Sequence, residues 1–187
     1  NEDLEGMVDT SDKWITRRTG IKTRFLAADD EATSDLAVAA ARQALERADL
    51  EPEQLDAIIV ATITPDYPMP ATACLVQDAL GATNAFAYDL EAACSGFVFG
   101  MASGSSMIGA GLARHVLVIG AECLSRVTDY TDRGSCILFG DGSGAVVLGP
   151  SDGESAVLYN ELGADGSQPD ILKIPAGGSR RPIDAEA

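Results

Sequence analysis

The chain has 187 residues, 46% of them hydrophobic and 22% charged, enough for one well-packed domain or part of a larger one. A net charge of −16 argues against nucleic acid and against an anionic membrane surface as partners. Four cysteines at wide spacings, with no C-x-x-C pair, argue against a zinc site and a disulfide framework, and favour a reduced, cytoplasmic setting. No basic segment leads into an apolar one at the start, so no signal peptide is expected. Both ends of the sequence look cut.

The first element expected is a short helix over 10–18, opened by good capping residues and ended by Gly20. Residues 21–27 read as a strand. Thr33 or Ser34 then caps an amphipathic helix in which Ala37, Ala40, Ala41, Ala44, Leu45 and Ala48 share one face. Residues 56–62 form an apolar run suited to a buried strand. Pro65, Pro68 and Pro70 force a loop before a helix over about 71–80. A strand over 85–90 leads into a long uncharged helix, and 115–122 read as another buried strand. Residues 145–148 and 156–159 look like paired strands around a turn at 150–153. Helices alternating with buried strands imply a layered α/β fold. From Gly163 the Gly-, Pro- and Asp-rich tail shows no core element.

Four features invite over-reading. The uncharged stretch 92–113, with Gly96, Gly100 and Gly104 at four-residue spacing, formally matches a membrane helix. Its glycines and serines fit a buried helix better, one whose small residues let neighbouring backbones approach. Gly149-Pro-Ser-Asp-Gly153 matches the hydrolase elbow, but a strand pattern follows where a helix is needed, so Ser151 reads as a turn residue. Gly140-Asp-Gly-Ser-Gly144 has the wrong spacing for a dinucleotide loop and reads as a tight turn near a site. His115, the sole histidine, precedes an apolar strand, whereas sites in parallel sheets gather at the carboxyl ends of strands.

Cys94 differs from the other cysteines. It lies between a strand pattern and a helix, facing the helix's unpaired N–H groups and the positive end of its dipole, a setting that favours a nucleophilic thiolate. Cys74, Cys123 and Cys136 fit the small buried hydrophobe that a free cysteine often is. Context alone leaves both readings open for Cys94.

Five segments, taken together, resemble the β-ketoacyl-acyl-carrier-protein synthase III family: MVDTSDKWITRRTGI at 7–21, AACSGF at 92–97, TDRG at 131–134, FGDGSGA at 139–145 and LKIPAGG at 172–178. The resemblance implies a thiolase-like α/β fold of two pseudo-symmetric halves, with layers αβαβα. This chain would supply most of the first half over 1–150 and the start of the linking region over 151–187. It also implies that Cys94 takes an acyl group, with acetyl the one expected, from acyl-CoA. Malonyl-acyl carrier protein would then condense with it by decarboxylative Claisen chemistry, the first step of fatty-acid synthesis.

By motif, Trp14 and Arg18 match contacts to the CoA adenine, and Arg133 with Gly134 match a further CoA contact. Met69 stands where an aromatic residue usually reaches the partner subunit's acyl pocket. The family's catalytic histidine and asparagine would lie in the second half. Expected partners are acyl-CoA, as substrate, and malonyl-acyl carrier protein. A homodimer is expected, with no permanently bound cofactor and no metal. A synthase priming a polyketide is the alternative within the superfamily, and a noncatalytic binding or assembly remnant is the alternative outside it. The fragment alone is expected to be inactive.

Overall fold

Four strands form one mixed sheet, in the order β2–β1–β3–β4, in a computed structural model describing residues 1–151, 153 and 156–183. The strands are β1 (Ala57–Ala61), β2 (Phe86–Leu90), β3 (Val116–Cys123) and β4 (Asp141–Leu148). β1 pairs in parallel with both β2 and β3, with Ala57 opposite Phe86 and Val116. β4 closes the edge antiparallel to β3, from Val116–Leu148 to Cys123–Asp141. Every residue of β1 is buried, as expected for a central strand covered on both faces.

Helices cover both faces. On one lie α3 (Thr33–Ala48) and α4 (Thr72–Leu80), whose Ala37, Ala41, Leu45 and Val76 pack on Ile58, Val60, Leu117 and Ile119. On the other lies α5 (Gly96–Gly109), where Met101, Met107 and Ile108 meet Ile59, Val116 and Val118. Alternate residues of each strand thus feed opposite clusters. Two more helices, α1 (Glu2–Glu5) and α2 (Asp12–Thr19), sit on a third small cluster of Leu4, Ile15, Cys136 and Ile137.

The glycine stripe of α5 has its reason in the sheet. A Cβ at Gly96 would lie 3.0 Å from the Ala61 Cβ, one at Gly100 2.7 Å from the Val118 Cγ1, and one at Gly104 2.8 Å from the Leu148 Cδ1. The helix therefore rests almost directly on the strands. No helix among the described residues is long and apolar enough to cross a membrane.

Capping explains the helix starts. Ser11 accepts the Trp14 N–H at 3.2 Å, and Gly20, at φ 77°, closes α2 as expected. The cap of α3 differs from the expectation. Thr33 is its first residue and is buried, its hydroxyl donating to the Thr64 carbonyl at 2.5 Å. The end is capped by carboxylates instead, Asp35 accepting the Ala32 N–H and Asp66 the Ser34 N–H. Ala48, placed on the apolar face by its spacing, is exposed at the last turn.

Two strand expectations and one turn expectation are corrected. Residues 21–27 form no ladder; among the described residues they are held by one backbone bond, from Asp141 N–H to the Phe25 carbonyl, and by side-chain bonds such as that from Ala27 N–H to the Asp141 carboxylate. Residues 156–159 do not pair with β4, and with Leu158 93% exposed they have no core to pack on. Gly140–Gly144 is not a tight turn, since β4 begins at Asp141 and runs through both later glycines. Among the turn residues 150–153, Asp152 lies outside the described residues, as do 184–187 at the end. Past β4 the described residues hold only an isolated bridge between Gly178 and Arg181.

Candidate active site

Parallel strands β1, β2 and β3 all end at the same edge of the sheet, and Cys94 lies there, just beyond β2. One 3₁₀ turn, Ala93–Ser95, joins the strand to α5. Ala93 holds φ 45°, a left-handed conformation unusual for a residue with a Cβ, and the backbone turns sharply at the residue before the cysteine. The result leaves Cys94 exposed at the amino end of a fourteen-residue helix. Gly96, pressed against Ala61, and Phe97, lying over Gly120, seat this turn on the ends of β1 and β3.

Two carboxylates fix the surrounding loops. Glu122, near the end of β3, accepts the N–H groups of Ile63 (2.9 Å) and Thr64 (3.1 Å) and the hydroxyls of Thr62 and Thr64. Asp89 on β2 accepts the N–H groups of Thr72 (2.8 Å) and Ala73 (2.7 Å), capping α4 in place of Ala71, which has no polar side chain. Between these anchors runs the proline loop, which presents Met69 with 85% of its surface exposed. Asp89 was not singled out from sequence, and Glu122 only as lying at the carboxyl end of its strand, where sites gather. An acidic residue at the carboxyl end of an apolar strand is the signal that could have found both.

A second cluster forms around α2. The Arg133 guanidinium lies over the Trp14 ring, 4.2 Å from its centroid, joining residues 119 positions apart in sequence. Arg18 is exposed one helical turn beyond Trp14. Gly134 follows in a turn knitted by Asp132, whose carboxylate accepts the Ser135 hydroxyl (2.6 Å) and the Gly134 N–H (2.8 Å). Those bonds, the hydroxyl first, hold Asp132 below the usual carboxylate range. Asp141 shows the opposition of two effects. Burial pushes its pKa up, but donors from Ser125 and Ala27 together bring it below the usual value.

His115 sits at the opposite edge of the sheet, just before β3, with Nδ1 3.0 Å from the Gln54 carbonyl. Its backbone N–H and that of Arg114 donate to Asp56. It thus lies at the edge of the sheet away from Cys94, where its place before an apolar strand puts it. Among the cysteines, Cys123 and Cys136 are buried, but Cys74 is exposed on α4, which corrects the expectation of a core residue. Its position near the β2 edge strand explains why nothing covers it. No cluster among the described residues has the ligands for a metal ion.

Comparison with known proteins decides the family. Residues 88–166 match the model of 3-oxoacyl-[acyl-carrier-protein (ACP)] synthase III. The whole chain aligns at 53% identity with the β-ketoacyl-[acyl-carrier-protein] synthase III of Natranaerobius thermophilus, covering 57% of that protein. The chain belongs to the β-ketoacyl-acyl-carrier-protein synthase III family. The crystal structure of a 3-oxoacyl-(acyl carrier protein) synthase III from Pseudomonas aeruginosa superposes with a TM-score of 0.89 at 46% identity, over 97% of this chain and 57% of that one. A priming β-ketosynthase from the R1128 polyketide pathway is similar at 40% identity and TM-score 0.79, over 81% of this chain and 46% of that one. The chain thus spans little more than half the length of these synthase III relatives. Its α/β/α layers are one half of the thiolase-like fold the synthases share.

Proposed function

We propose that the protein is a condensing enzyme whose Cys94 receives an acyl group from acyl-CoA and passes it to a malonyl unit on acyl carrier protein. The observation that carries this reading is the exposed Cys94 on a left-handed turn at the start of α5. In the first step Sγ attacks the thioester carbonyl, the C–S bond to CoA breaks, and CoA leaves as its thiol. In the second, the malonyl thioester loses CO2, the enolate carbon attacks the acyl-Cys94 carbonyl, and the Cys94 thiolate departs. Cysteine suits this sequence because its acyl thioester stays activated for the second attack.

The Cys94 backbone N–H would be one donor to the oxyanion of each tetrahedral intermediate. The family resemblance assigns the proton-handling histidine and asparagine and the second oxyanion donor to the rest of the protein, in keeping with the sole histidine here lying at the opposite edge of the sheet. Trp14, Arg18, Arg133 and Gly134 would hold the nucleotide end of CoA. The indole and guanidinium planes, already stacked, would part to admit adenine between them. Met69 would reach the acyl pocket of a partner subunit in a homodimer, and cytoplasmic acyl-CoA and malonyl-acyl carrier protein are the substrates. Residues 1–150 act as the nucleophile-bearing half, and 151–187 begin the link onward.

The test is condensation of acetyl-CoA with malonyl-acyl carrier protein by the complete protein. Wild type should form the 3-oxoacyl product, and Cys94→Ala should form none. Product formation by Cys94→Ala at the wild-type rate would end the assignment. Priming of a polyketide is a second reading, favoured by the R1128 similarity and by flexible Met69 at the acyl position. Faster turnover of longer acyl primers than of acetyl-CoA would support it.

A further inference from the structure

Trp14 and Arg133 come from separate segments, and their stacking requires something that fixes one segment against the other. Arg24 does so. Its Nε donates to the Ile137 carbonyl at 3.0 Å, Nη2 reaches the same carbonyl, and Nη1 donates to Asn1 Oδ1. Asn1 Nδ2 in turn donates to Asp12 Oδ1 (2.7 Å), Thr16 Oγ1 (3.4 Å) and the Ile21 carbonyl (3.0 Å). Asp12 and Thr16 flank Trp14 on α2, and Ile137 lies in the turn 133–138 that begins at Arg133. A single guanidinium, through one amide, therefore spans both walls of the stack. The apolar cluster beneath, Ile15 with Cys136 and Ile137, holds the segments together but supplies no direction.

Two further observations set Arg24 apart from a surface charge. It is partly buried, yet among the described residues it forms no salt bridge, so its cation is held by neutral oxygens alone. Its stem also crosses a position that has to be bare: a Cβ on Gly140 would fall 2.9 Å from the Arg24 Cβ and 3.1 Å from the Phe25 carbonyl. A rigid planar fork can grip a carbonyl and an amide at once, whereas an ammonium offers a single point.

We infer that Arg24 is a positioning residue for the nucleotide end of acyl-CoA, setting the spacing of the segments that carry Trp14 and Arg133, whose side chains part to leave the gap into which adenine stacks. This rests on the acyl-CoA reading above. Its consequence is selective, because only donors that carry adenine feel the gap.

The experiment compares acetyl-CoA with acetyl-pantetheine, which lacks the nucleotide, as acyl donors to the complete protein. Arg24→Ala, Arg24→Lys and Gly140→Ala are each measured. In Arg24→Ala the KM for acetyl-CoA should rise about tenfold, the scale of one lost base stack. Its kcat, and transfer from acetyl-pantetheine, should stay within about twofold of wild type, the pattern of lost uniform binding. Gly140→Ala should move the same parameter in the same direction by displacing the Arg24 stem. Millimolar guanidinium should lower the raised KM of Arg24→Ala. Should Arg24→Ala fail to fold, Arg24→Lys carries the comparison, with a smaller rise on acetyl-CoA alone. Equal losses with both donors, or an unchanged KM for acetyl-CoA in a protein that does acylate, overturn the inference and leave the acyl-transfer reading standing. Wild-type protein that accepts acetyl from neither donor overturns both.

Discussion

Replacing Gly100 with alanine tests how closely α5 rests on the sheet. The added Cβ would fall 2.7 Å from Val118 Cγ1 and 3.8 Å from Ile59 Cγ2. Both neighbours are fully buried on adjacent central strands, and both are β-branched, with little rotameric freedom to yield. Overpacking of this kind costs about 1–3 kcal/mol. Against it, alanine gains about 1 kcal/mol over glycine in a helix interior. Because the clash is with a stiff branched carbon rather than a flexible chain end, the upper half of that cost applies, and the net loss is about 1–2 kcal/mol. Gly109 serves as the control, since a Cβ there meets nothing within 4 Å. Gly109→Ala should be neutral or stabilising by about 0.5 kcal/mol. Urea unfolding followed by circular dichroism reads both as shifts in midpoint at constant slope. A Gly100→Ala protein as stable as Gly109→Ala would show that α5 does not sit where the contacts place it.

Asp89→Ala removes the carboxylate that caps α4 and should cost about 1–2 kcal/mol in the same unfolding assay. Asp89→Asn, which keeps one acceptor oxygen, should lose less, and equal losses would argue against capping as the cause. The acid limb of stability should depend on Asp56, held below its ordinary value of 3.8 chiefly by the His115 and Arg114 N–H groups. A lowered pKa stabilises the fold above the ordinary value and loses that contribution as pH falls through the native one. Asp56→Asn should therefore be less stable than wild type at pH 7, with the gap closing below about pH 4. A gap independent of pH would refute the attribution. Trp14→Ala should raise the KM for acetyl-CoA about tenfold and leave transfer from acetyl-pantetheine unchanged.

What the sequence disclosed follows from the range of the interactions involved. The burial of β1, the ends of α2 and the small-residue face of α5 are written in local periodicity and capping chemistry, and each stands where its residues placed it. The strand–turn–helix setting of Cys94 was legible for the same reason, since its three parts are neighbours in sequence. The misread strands at 21–27 and 156–159 have strand-like composition but lack what composition cannot supply, a partner with free backbone groups. Glu122, Asp89 and Arg24 act on backbone atoms 16 to 113 residues away. Pattern does not carry such distances; only the folded chain brings the groups together. Gly140 belongs with them, for its reason is the stem of Arg24 and not a turn.

Acylation of Cys94 is the central claim, and its most direct measurement is peptide mass spectrometry of the complete protein after incubation with acetyl-CoA and no malonyl substrate. The account predicts one acetyl group, confined to the peptide containing Cys94, removed by hydroxylamine and absent from Cys94→Ala. Acetyl found on another residue, or retained at the wild-type level in Cys94→Ala, would contradict it.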